Sequence, residues 1–206
     1  MIPLLIGTIF LSVIHAAIPN HWMPFVVLSR SEKWSLAETM HITFLAGIAH
    51  SISTVALGVL IGSIGYSLAQ EYRIVTSVIA PLILIFMGIV YFSLDFKHSH
   101  HEHLPENKSI KGRSKLAIIA MLSGAMFFSP CLEIESYFFT AGAFGLQGVW
   151  LVSILYPVLS VGTMLFLVAL IRKSLVHWSG TFLERHERKI TGFSLIAVGI
   201  LTYFVD

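Results

Sequence analysis

The sequence predicts an all-α membrane protein of six transmembrane helices, and composition, the length of its apolar runs and the placement of its basic residues carry that prediction. Of 206 residues, 56% are hydrophobic and only 12% charged, with a mean hydropathy of +0.83, well above an ordinary soluble domain. About 20 apolar residues of helix span a hydrocarbon core, and the chain divides into apolar runs at 2–28, 36–68, 75–94, 116–143, 149–171 and 190–205. Barrel strands are short and alternating, whereas these runs are long and continuously apolar, so helices are expected.

Twelve of the 13 Lys and Arg fall in three loops: Arg30 and Lys33, the stretch from Lys97 to Lys115, and the stretch from Arg172 to Lys189. Arg73 alone lies on the other side. By the positive-inside rule the three basic loops are cytoplasmic and both termini outside, and a bacterial inner membrane is the expected location. The net charge of +2 therefore reports orientation and calls for no nucleic-acid partner. The partners expected are the lipid bilayer, a bound solute and, compatibly, further copies of the chain. The first run lacks a basic n-region and an A-x-A cleavage site and reads as a mature span.

Within the first span, Pro19 withholds a donor from the carbonyl of His15. Around it the sequence reads His15-Ala-Ala-Ile-Pro-Asn20-His21-Trp22, placing two imidazoles and an amide among Ile, Leu, Val and Phe. Polar groups at membrane depth are expensive and mark functional sites. Neutral imidazole is also the commonest protein ligand for borderline divalent metals. Residues six apart on an ideal helix differ by about 240°, so His15 and His21 converge only if the helix breaks at Pro19.

The second span contributes His50, followed by Ser51 and Thr54; His41, nine residues earlier, is read as a packing or interface residue. Between the third and fourth spans, His98, His100, His101 and His103 form a His-rich tract within the loop 97–115, a composition that captures divalent cations. In the fourth span, Pro130 frees the carbonyl of Met126, and Ser129-Pro-Cys131-Leu-Glu133-Ile-Glu135 supplies a thiol and two carboxylates. The fifth span adds the hydroxyls of Tyr156, Ser160 and Thr163. Because Cys131 is the single cysteine, neither an internal disulfide nor a two-cysteine relay within one chain is available. The segment from Arg172 to Lys189 mixes Leu175, Trp178, Phe182 and Leu183 with charges and reads as a short interfacial amphipathic helix.

At an offset of 111 residues Leu11, Ser12 and Pro19 fall on Leu122, Ser123 and Pro130, and Gly88, Ile89 and Asp95 fall on Gly199, Ile200 and Asp206. At an offset of 109, Ser51 and Thr54 meet Ser160 and Thr163. Spans one, two and three thus pair with four, five and six. An odd number of spans per half inverts the second half, which gives a 3+3 inverted repeat with proline-broken helices 1 and 4. The units are 1–96, the loop 97–115, and 116–206.

These residues resemble the efflux-like branch of the nickel and cobalt transporter superfamily, which lies within the wider amino-acid exporter superfamily of membrane carriers. The uptake branch carries His, four residues, Asp and His on an early helix; here the pattern is His15, four residues, Asn20 and His21, with Asn20 replacing the aspartate. Ala16 and Pro19, the His-rich loop, the His50-Ser51 pair and Ser129-Pro130-Cys131 complete the likeness. The resemblance implies His15, His21 and His50 as metal ligands with Asn20 a weaker one. The residue reading adds Cys131, Glu133 and Glu135 to the candidates.

The expected function is transport of a divalent transition-metal cation by alternating access, the ion being the substrate and no organic cofactor being called for; nickel, cobalt, zinc, iron and manganese stay open. Two further classes stay open: a carrier for an organic or inorganic anion or amino acid, and a membrane metalloenzyme built on His15, His21, His50 and Glu133. The latter lacks an H-E-x-x-H motif, and the chain is not expected to be an enzyme.

Overall fold

A computed structural model describes residues 1–94, 114–129, 131–173 and 181–204. Among them every regular element is helical: α1 (Ile2–Ala17), α2 (Pro19–Ser31), α3 (Leu36–Glu71), a π-helical turn (Val75–Ile79), α4 (Ala80–Leu94), α5 (Lys115–Phe127), α6 (Leu132–Ala143), α7 (Leu146–Lys173) and α8 (Thr181–Phe204). The His-rich tract, Pro130 and the stretch holding Leu175 and Trp178 lie outside the described residues.

Among the described residues four helical stretches are long and apolar enough to cross a bilayer: Ile2–Ser31, Leu36–Glu71, Val75–Ser93 and Leu146–Lys173. The pair α5 and α6, inclined at 48°, makes a fifth if it counts as one span. The expected sixth falls short, because the apolar part of α8 is Lys189–Phe204, or about 24 Å at 1.5 Å per residue. Of the stretch from Arg172 to Lys189, expected as a short interfacial helix, residues 174–180 lie outside the described residues and 181–189 run without a break into that apolar part.

The distribution of polarity is that of a protein built for lipid. Large apolar side chains face outward, among them Ile6, Ile52, Leu60, Phe86, Trp150, Ile154 and Phe166, while Thr8, Ser12, Thr43, Ser51, Thr54, Glu133 and Ser160 are buried. Buried hydroxyls then need internal acceptors. Thr8 and Thr43 donate to the carbonyls one turn back, Leu4 and Thr39, the usual solution for hydroxyls in membrane helices.

Local chemistry sets the ends of these helices. Ser35 and Glu38 form a reciprocal capping box at the start of α3, which satisfies two of the orphan donors there. Glu38 also pairs with Lys115 at the start of α5. Ile18, held extended by the following proline (φ −63°, ψ 131°), separates α1 from α2.

Helices from the two halves of the chain pack against each other, α3 along α6 and α4 along α8. Both contacts bring backbones together. A β-carbon on Gly142 of α6 would overlap the carbonyl oxygen of Gly62 on α3, and one on Gly88 of α4 would lie 2.6 Å from the carbonyl oxygen of Gly192 on α8. Small residues at such crossings are how helices associate where lipid supplies no hydrophobic drive.

Tyr137 of α6 ties into α1 by donating its buried hydroxyl to the carbonyl of Leu4 at 2.6 Å. Tyr137→Phe removes this bond while leaving Thr8 on the same acceptor, so a loss of about 1 kcal/mol is expected. Denaturant unfolding in mixed micelles measures it, and an unchanged midpoint would show that the bond contributes nothing.

Candidate metal centre

The break at Ile18 changes the direction of the chain between the last turn of α1 and the first turn of α2. The carbonyls it exposes are taken up locally. Ile18 N–H donates to His15 at 3.2 Å, and the Trp22 indole donates to Ala17 at 3.0 Å. With the helix broken, the rings of His15 and His21 meet edge to face with centroids 4.3 Å apart, a contact that an unbroken helix forbids.

The second break lies between Phe128, which caps α5, and Cys131, which precedes α6 in an extended conformation (φ −102°, ψ 107°). This break supplies two groups. Cys131 Sγ lies 3.4 Å from His50 Nε2 and 3.9 Å from His21 Nε2. The carbonyl of Met126, the one left without its helical donor by Pro130, accepts from His50 Nδ1–H at 3.0 Å. A carbonyl only accepts, so the proton is assigned to Nδ1 and the Nε2 lone pair points at the thiol.

Ligand atoms of His15, His21, His50 and Cys131 all lie within 4.8 Å of one another. All four side chains are buried, at 4%, 6%, 2% and 9% exposure. Among the described residues neither ring nitrogen of His15 has a hydrogen-bond partner. Buried polar atoms are normally paired, so this concentration of unpaired nitrogen marks a place built to receive something. Three imidazoles and a thiol facing one point are donors for a borderline divalent metal.

The donors sit beside buried apolar side chains. Cys131 belongs to a cluster with Leu11, Ile134, Tyr137, Phe138 and Tyr156, and Ala16 and Trp22, the chain neighbours of His15 and His21, belong to a second with Phe25, Ala46 and Met164. The Tyr156 hydroxyl of α7 donates to His50 Nε2 at 3.4 Å, and its ring centroid is 6.3 Å from that of His15.

The remaining candidates lie elsewhere. Asn20 is exposed on α2 and stands outside the four-donor group, because the turn that aims His21 inward rotates its neighbour outward. Glu133 and Glu135, in the first turn of α6, are buried but also stand outside that group. The Tyr91 side chain of α4 hydrogen-bonds Glu133; both carboxylate oxygens of Glu135 are buried with no hydrogen-bond partner among the described residues. His41 is exposed. The Trp22 indole, which takes up the Ala17 carbonyl at the break, carries no signal in the sequence that would have given it that role. Compared with known proteins, the chain matches no family model, no curated protein and no solved structure.

Proposed function

We propose that this chain is a membrane transporter for a divalent transition-metal cation, which it moves unaltered by alternating access. The observation that carries the reading is the convergence of His15, His21, His50 and Cys131 at two helix breaks inside apolar spans. Irregular backbone at membrane depth is tolerated only around a cavity or inside protein, and carriers use discontinuous helices to build their solute sites. The motifs shared with the nickel and cobalt transporter superfamily support the same reading, with nickel, cobalt, zinc, iron and manganese as the candidate cargo.

The proposal includes six spans arranged as a 3+3 inverted repeat. What supports it is that α1 and α2 correspond in order to α5 and α6, α3 to α7, and α4 to α8, at the offsets that align Pro19 with Pro130 and Ser51 with Ser160. The sixth span is then α8, short in apolar length and completed by its flanks. It also includes an inner-membrane location with the basic loops cytoplasmic, supported by the concentration of Lys and Arg on one side.

Uptake of a panel of divalent cations into liposomes containing the purified chain, with His21→Ala and Glu133→Ala alongside, tests the reading. Selective flux lost in His21→Ala is the expected result. Folded protein that moves none of the ions would overturn it.

A further inference from the structure

We infer that the site binds its ion as a four-coordinate, tetrahedral centre of three nitrogens and one sulfur, with His15, His21, His50 and Cys131 as ligands, and so selects zinc-like ions over those that require six oxygen-rich ligands. The inference rests on the carrier reading for the fate of the ion and adds its class. Zinc, tetrahedral cobalt(II) and cadmium belong to the favoured class; manganese and magnesium do not.

Two of the donor separations bear on the geometry. Metal bonds of about 2.0–2.1 Å to imidazole and 2.3 Å to thiolate, held at the tetrahedral angle, place nitrogen and sulfur about 3.6 Å apart. At the right angle of an octahedron the same bonds give about 3.1 Å. The two separations to Cys131 Sγ are 3.4 Å and 3.9 Å, on either side of the tetrahedral value and both longer than the octahedral one. The donor set agrees, since Glu133 and Glu135 stand outside the group of four and Asn20 is exposed.

One outer contact agrees as well. Metal-bound histidines ordinarily donate their other N–H to an oxygen that fixes tautomer and orientation, and the Met126 carbonyl does this for His50. Cys131 immediately precedes the first turn of α6, which fixes the backbone from which its sulfur reaches His50 and His21. Loading exchanges the thiol proton, released to the medium, for the ion. One positive charge then remains on the centre, and Glu133 stands within electrostatic reach of Cys131.

Cobalt(II) titrated into the purified full-length protein in detergent reads the geometry directly. The expected spectrum has the intense visible bands of tetrahedral cobalt and a near-ultraviolet thiolate-to-cobalt charge-transfer band, with zinc displacing the ion and manganese not. Cys131→Ser is expected to lose the charge-transfer band; the wild-type spectrum stands by itself if that variant fails to fold. Weak octahedral bands without charge transfer, alongside cobalt flux into liposomes, would overturn the tetrahedral assignment and leave the carrier reading standing. The tetrahedral thiolate spectrum without flux supports the assignment and overturns the carrier. Folded protein that binds no cobalt overturns both.

Discussion

His50→Ala is expected to weaken zinc binding by more than about 100-fold, or about 2.8 kcal/mol, measured by competition against a chromophoric chelator. Outer contacts of a metal centre alone are worth about 10- to 100-fold, and this substitution removes an inner one together with its outer support. His50 is buried on α3, its Nε2 facing Cys131 and its Nδ1–H held by Met126. Alanine also leaves a cavity beside Tyr156 and deprives the Met126 carbonyl of a donor. Tyr156→Phe, which removes only the hydroxyl at 3.4 Å, is expected to cost less. Affinity equal to wild type in His50→Ala would remove this residue from the site.

The largest expected effect on folding comes from a single methyl group. Gly142→Ala places a β-carbon into the carbonyl oxygen of Gly62, and neither partner has a rotamer through which to escape, so α3 and α6 must separate along their length. Overpacking costs typically about 1–3 kcal/mol, more when backbone must move, and a loss at the upper end is expected. Gly162→Ala is the counterpart: nothing lies within 4 Å of its added carbon, and replacing a helical glycine there should be neutral or stabilising by up to about 1 kcal/mol. Thermal unfolding of the two variants in detergent should move in opposite directions; equal behaviour would refute the close approach of α3 and α6.

Much of the site is legible in the sequence because polar residues are conspicuous in apolar runs. His15, His21, His50 and Cys131 stand out as intruders, and the break that joins the first two follows from Pro19. Proline alone is an incomplete signal, however, since Pro157 lies inside an unbroken α7. At Pro19 the residue before it is driven into the extended region and an indole is at hand to take up an exposed carbonyl; at Pro157 the helix continues. Asn20 illustrates a different limit. A motif fixes spacing, but the turn of α2 decides which neighbour points inward, and that neighbour is His21. The end of the last span is blurred for a third reason: charged residues at 185–189 share one helix with apolar ones, so composition marks a boundary where the backbone has none.

The glycine contact between α3 and α6 reaches beyond stability. It holds α3 and α6 along one another, and these are the helices that present His50 and Cys131, whose Nε2 and Sγ lie 3.4 Å apart. A substitution that pushes the two helices apart is therefore felt at the donors as well as in the packing.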